Sequence, residues 1–212
     1  MKTSEFIAAL AADPVPEPIR LGRRVALALA IGLAGSVALY FLLLGPRPDI
    51  AAACGTMRFW LKFVDSAAFA LPTLLLTLRL ARPDAKPRAL ALWLLAPFIL
   101  LAAGVIIELL IVPQSEWMSR LMGTTAMHCT ITIPMLAAPV LAALIVALRA
   151  GAPLHAALTG ALAGAASAGV AALVYASSCP GDSPLFVATW YPLATLICMG
   201  VGALAGRRFL AW

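Results

Sequence analysis

The chain has 212 residues, 63% of them hydrophobic and 11% charged, with a formal net charge of +6 and a mean hydropathy of +1.01. An ordinary soluble domain is about 45–50% apolar and about 25% charged, so a water-soluble globular fold is excluded. A disordered chain, a disulfide-framework miniprotein built on the four cysteines and a broad charged surface for nucleic acid are excluded with it.

The first 24 residues are the longest stretch free of membrane-length apolar sequence and are expected to lie outside lipid, on the cytoplasmic side. Within them, Thr3 to Asp13 reads as a short amphipathic helix. Thr3 or Ser4 can cap it, Glu5 suits its positive dipole end, and Phe6, Ile7 and Leu10 form one apolar stripe. Pro14, Pro16 and Pro18 then form an extended tether to Arg20. A helix of roughly three turns is not stable alone in water, so its stripe must rest on lipid, on the rest of the protein or on a partner. Lipid contact and partner docking satisfy the pattern equally.

Residues 25–212 are expected to form a second domain, an all-α bundle of six transmembrane helices. The apolar runs are Val25–Leu44, Phe63–Leu80, Leu90–Val112, Thr124–Leu148, Leu154–Ala176 and Phe186–Leu204. Ser36-Val37-Ala38 in the first run mimics a signal-peptide cleavage site, but the run continues past it to Leu44. Connections rich in Pro, Gly and charge separate the runs. Sorted by side, eleven Lys and Arg flank one face of the membrane and four (Arg47, Arg58, Lys62, Arg120) the other. The positive-inside bias places both termini in the cytoplasm. The +6 thus reads as topology rather than as attraction to an acidic partner.

The second and third spans carry ionisable residues that are costly in hydrocarbon and therefore candidates for function: Lys62, Asp65 and Glu108. Lys62 and Asp65 are three residues apart, on one helix face. They are expected to pair with each other, with Lys62 or Arg58 reaching Glu108, either as a structural ion pair that snorkels to the interface or as part of a relay. Pro72, Pro97, Pro134 and Pro139 should kink the helices that contain them.

On the outer side, Cys129 in the fourth span and Cys179 in the last loop are the strongest chemical signals. Two thiols in an oxidising compartment can form a disulfide, a reversible redox pair or soft metal ligands, with His128 as a neighbouring imidazole. His128 and Cys129 are adjacent, however, so they point about 100° apart on a helix. Three outer cysteines admit three pairings. Cys129 with Cys179 is favoured because their elements end at the same membrane face, with Cys54 in a separate loop and Cys198 in mid-membrane. A small buried apolar role for Cys129 is the alternative.

In the fifth span Ala156, Gly160, Gly164, Ala168 and Ala172 recur every four residues, and Gly202 and Gly206 repeat the spacing in the sixth. Such stripes let helix backbones approach closely, within one bundle or, as the second reading, in a homodimer. Trp60, Trp117, Trp190, Tyr191 and Trp212 fit an aromatic belt. No nucleotide, zinc or nucleophile-elbow motif is present, so neither an enzyme nor a cofactor is expected. Two rival classes stay open. A small transporter or channel needs Lys62, Asp65 and Glu108 to line a cavity open to either side; a membrane thiol-disulfide oxidoreductase needs closely spaced reactive cysteines, and no CxxC occurs.

Several tracts together resemble the NrsF type of bacterial membrane anti-sigma factor, negative regulators of the extracytoplasmic-function (ECF) sigma factor sigma-F. They are Leu10-Ala11-Ala12-Asp13, Trp60-x-Lys62, His128-Cys129, Arg149-Ala150-Gly151-Ala152-Pro153, Tyr175 to Phe186 with its Cys179-Pro180, Trp190-Tyr191, and Gly206 to Trp212. The resemblance covers essentially the whole chain. It implies a regulator whose cytoplasmic N-terminal segment, around Phe6, Ile7 and Leu10, holds an ECF sigma factor at the membrane without contacting nucleic acid. It also implies that Cys129 and Cys179 sense heavy-metal or oxidative stress from the periplasmic side.

Overall fold

Apolar sequence of this kind folds into helix because each segment must satisfy its own backbone N–H and C=O groups where water is scarce. The computed structural model describes residues 3–5, 7, 21–83 and 88–211. Its elements are α1 (Leu21–Leu43), α2 (Ile50–Ala53), α3 (Met57–Leu80), α4 (Arg88–Leu92), α5 (Leu95–Ile111), a 3-10 turn (Gln114–Glu116), α6 (Trp117–Met122), α7 (Ala126–Leu148), α8 (Ala156–Tyr175) and α9 (Pro184–Phe209). Among the described residues, six helical stretches are long and apolar enough to cross a membrane: α1, α3, α4–α5, the segment from the 3-10 turn through α7, α8 and α9. No strand occurs among the described residues.

Helix α8 lies at the centre, packed against α9, α3, α7 and, less extensively, α1. Its small residues permit this. A side chain on Gly160 or Gly164 would run into the α9 backbone at Gly202, Gly206 and Cys198, and one on Gly169 would meet Ala70 of α3 at 2.9 Å from its Cα. The four-residue stripe is therefore occupied within the chain and is not a free dimer face. Helix α1 packs mainly on α7, where Gly32 and Gly35 lie against Pro139 and Val140. Helix α5 is peripheral and touches α3 and α9.

Two apolar clusters divide the core. One gathers Tyr40, Cys129, Tyr175, Cys179, Phe186, Tyr191 and Cys198; the end of the bundle near it is called the thiol end. The other gathers Leu21, Val25, Ala81, Leu144, Leu148 and Leu210 at the opposite, basic end.

Several boundaries differ from expectation. Helix α3 begins at Met57 rather than Phe63, because Thr56 Oγ1 accepts the Phe59 N–H at 3.3 Å and the charges of the first turns find partners. Helix α9 runs on past Leu204 to Phe209, which puts Arg207 and Arg208 in its last turn, beside the negative end of the dipole. The third apolar run is broken at Trp93-Leu94. Pro97 explains the break, since its ring clashes with the carbonyl four residues earlier, which is that of Trp93. Pro192 inside α9 and the short helix α6 were not anticipated. Residues 3–5 and 7 are helical, with Ile7 61% exposed; Phe6, Leu10 and the proline tether lie outside the described residues.

Candidate functional site

The thiol pair lies where α7 meets the α8–α9 loop. Cys129 sits in the first turn of α7, facing inward, and Cys179 follows the C-terminus of α8, where its N–H donates to the Tyr175 carbonyl at 3.1 Å. Both are fully buried, both are free thiols, and their sulfurs lie 3.6 Å apart. Tyr175 Oη completes the group at 3.3 Å from Cys129 Sγ. The sequence brings these residues together because Tyr175 and Cys179 are four apart, so the helix end and the loop present their side chains on one side.

Charges from two other segments clasp this loop. Lys62 of α3, with its side chain 0% exposed, donates to the Cys179 carbonyl at 2.7 Å and to Asp182 Oδ1 at 2.5 Å. Arg47, from the connection after α1, donates to Asp182 Oδ2 at 2.7 Å and to the Cys179 carbonyl at 3.2 Å, and it forks onto Asp49 at 2.6 and 2.7 Å. The hydrogen bond to Asp49, with Asp182 behind it, raises the Arg47 pKa further, and Asp49 is lowered in return. Hydrogen bonding with Cys129 is the largest influence on Cys179. With the ammonium of Lys62 it outweighs the opposing effect of burial and lowers the thiol below its ordinary value. The Ser177 hydroxyl donates to Tyr40 Oη at 2.8 Å, and the Ser177 carbonyl accepts the Arg47 N–H at 3.2 Å, so α1 is tied to the same loop.

Glu108, near the end of α5 and 2% exposed, holds the far side of the loop. It accepts from Ser183 Oγ at 2.8 Å and from the Leu185 N–H at 3.4 Å, thus capping the positive end of α9, while Arg120 and Arg58 approach its other oxygen at 3.3 and 3.5 Å. Phe186 closes the site between Gly123 and Gly181, where an added side chain would lie 2.7 Å from its ring. Gly123 also needs its left-handed backbone, φ +53°.

Two sequence expectations are corrected. Lys62 does not pair with Asp65, nor does it snorkel: its ammonium is captured by Asp182 and a carbonyl across the bundle, and Asp65 Oδ1 has no hydrogen-bond partner. His128 does not join the thiols. It is exposed while Cys129 is buried, as the 100° offset between adjacent helical residues requires, and no metal-holding group of three His, Cys, Asp or Glu side chains occurs among the described residues. Cys54 is exposed and Cys198 is buried on α9. The expected reach of Arg58 to Glu108 is present. Of the three candidates within the apolar spans, Asp65 lines a cavity, while Lys62 and Glu108 are buried in ion pairs. Sequence reasoning missed Arg47, Tyr175 and Asp182 as parts of the site. The signal available was scarcity: Arg47 and Asp182 are among the few charges in the two connections that meet there.

The family described as "Negative regulator of sigma F" (NrsF) matches residues 10–212. The chain is 35% identical over 222 residues to the probable anti-sigma-F factor NrsF of Azospira oryzae, and 34% identical over 221 residues to the anti-sigma-F factor NrsF of Caulobacter vibrioides. Both alignments cover 100% of each chain. No solved structure matches.

Proposed function

The chain belongs to the NrsF family of negative regulators of sigma F, and on that premise we propose that it is an anti-sigma factor of the bacterial inner membrane. It holds an ECF sigma factor through its cytoplasmic N-terminal segment and releases it when Cys129 and Cys179 register heavy-metal or oxidative stress in the periplasm. It acts by binding and does not turn over a substrate. The observation that carries this reading is the pair of buried sulfurs 3.6 Å apart, one on α7 and the other on a loop that four separate segments restrain.

In this mechanism a two-electron oxidant such as a peroxide takes the pair to a disulfide, two thiols and one hydrogen peroxide giving one S–S bond and two waters. The sulfurs must close from 3.6 Å to about 2.05 Å, which draws Cys179 toward α7 and strains its carbonyl away from Lys62 and Arg47. A thiophilic metal would be held by the thiolates of Cys129 and Cys179 and would act on the same loop. Helix α1 couples this end to the other: it is bonded to the loop through Tyr40, it packs along α7, and it begins at Leu21, within the 24-residue N-terminal segment. Both termini lie in the cytoplasm, so the basic end of the bundle is the cytoplasmic one.

Deletion of residues 1–13 tests the binding half. The truncated protein should still insert but fail to retain the sigma factor in a pull-down; undiminished retention overturns the assignment. For the sensing half, a Cys129→Ser, Cys179→Ser double variant should lose the stress-dependent change in sigma-dependent transcription. An unchanged response removes the thiols from the mechanism.

A further inference from the structure

Three buried polar atoms without a hydrogen-bond partner, Asp65 Oδ1, Ser66 Oγ and Tyr191 Oη, belong to residues that line one cavity of about 320 Å³ between α3, α5, α8 and α9. These residues are 8%, 4% and 7% exposed. The rest of the lining is almost wholly apolar, and the rim residues Phe98 and Leu196 are 58% and 62% exposed, so the cavity opens sideways from the bundle rather than to either end. Nothing in the thiol-site chemistry uses these groups. The nearest cation along α3, Lys62, is already committed to Asp182 and the Cys179 carbonyl.

A buried carboxylate with no partner is costly, and two buried hydroxyls without partners add to that cost. The volume falls in the range of small-ligand sites, which pair an apolar lining with a few convergent polar groups. We propose that this cavity binds a lipophilic primary amine entering from the bilayer, its ammonium held by Asp65 with Ser66 and Tyr191 and its hydrocarbon body filling the space toward Leu162 and Met199. The match is one of sign: an alkylammonium brings one positive charge and N–H donors, and the cavity offers one carboxylate with the Ser66 and Tyr191 hydroxyls as further acceptors. A neutral alcohol or a quinone leaves the carboxylate unneutralised, and a fatty acid adds a second negative charge. Tyr191 also belongs to the apolar cluster around the thiols, but the proposal does not depend on the anti-sigma reading.

The test uses the full chain in lipid nanodiscs, with empty discs as the partitioning control, and two probes of equal shape, 1-adamantanamine and 1-adamantanol. The amine is expected to bind at least tenfold more tightly than the alcohol. Asp65→Asn should abolish that preference while alcohol binding stays the same, and Tyr191→Phe should weaken amine binding several-fold. Equal affinities of the two probes for the native protein overturn the proposal, as does an undiminished amine preference in a folded Asp65→Asn variant. If Asp65→Asn does not fold, the native preference and Tyr191→Phe decide: a preference reduced by loss of the hydroxyl supports the site, and one unmoved by it overturns the site.

Discussion

Lys62 Nζ lies 2.7 Å from the carbonyl oxygen of Cys179, so a fully buried positive charge is tied to the backbone of the residue that carries one of the paired sulfurs. The same ammonium holds Asp182 three residues further on. Any movement of Cys179 toward Cys129 must therefore be taken up by this lysine, and its strength as an anchor can be measured.

Removing one partner of a buried ion pair costs about 3–5 kcal/mol, because the other charge stays buried and unpaired. Arg47 still reaches Asp182, so Lys62→Met should fall at the low end, about 3 kcal/mol in unfolding free energy. The double variant Lys62→Met, Asp182→Asn should be less damaging than the two single changes summed. Additive losses in a double-mutant cycle would show that the two residues act independently.

The four cysteines should differ sharply toward alkylating reagents. Cys54 is exposed and should react with a bulky maleimide in the folded protein, while Cys129 and Cys179 should react only after denaturation. A small thiosulfonate should reach Cys179 with a rate that rises with pH and levels off below the ordinary thiol range, since a lowered thiol pKa makes the reactive thiolate predominate from there upward. Cys129→Ala removes the largest cause of the lowering and should move the midpoint upward. A midpoint in the ordinary thiol range for the native protein would contradict the clasp geometry.

Glu108 should matter through the start of α9. Glu108→Gln keeps the shape but removes the charge that faces Ser183, Leu185 and two arginines, and should cost about 1–2 kcal/mol. Hydrogen exchange should quicken first at the Leu185 to Val187 amides. Uniform quickening through all six long helices would point to a general loss of packing instead.

Two glycines form a matched pair of controls for the helix contacts. A methyl on Gly164 would press on the Cys198 backbone, whereas Gly200 on the same helix pair has nothing within 4 Å. Gly164→Ala should destabilise by about 1–3 kcal/mol. Gly200→Ala should be neutral or stabilising by up to about 1 kcal/mol, from helix propensity alone. Thermal unfolding followed by tryptophan fluorescence separates the two.

The helices and their packing faces were legible in the sequence because hydropathy and four-residue spacing are local properties. The run from Ala156 to Ala172 specifies a small-residue face whatever lies opposite, and it became the central helix α8. The local code also misled where a charge looked unable to enter a helix. Lys62 and Arg58 made α3 seem to start at Phe63, yet Lys62 is buried inside that helix by a partner 120 residues away. Adjacency likewise favoured Lys62 with Asp65, the only pairing that spacing along one helix can reveal.

By itself, then, the sequence determined six apolar helices, the close-packing stripe and the placement of Cys129 and Cys179 at one end of the chain's fold. Only the tertiary structure decided that Lys62 and Arg47 clasp the Cys179 loop, that Glu108 caps α9, and that Asp65 faces an apolar cavity without a partner. The physical reason is that helix formation is settled by hydrogen bonds within a few residues, whereas a buried charge takes whichever partner the lateral arrangement of helices brings within about 3 Å. That arrangement depends on all the interhelical contacts at once.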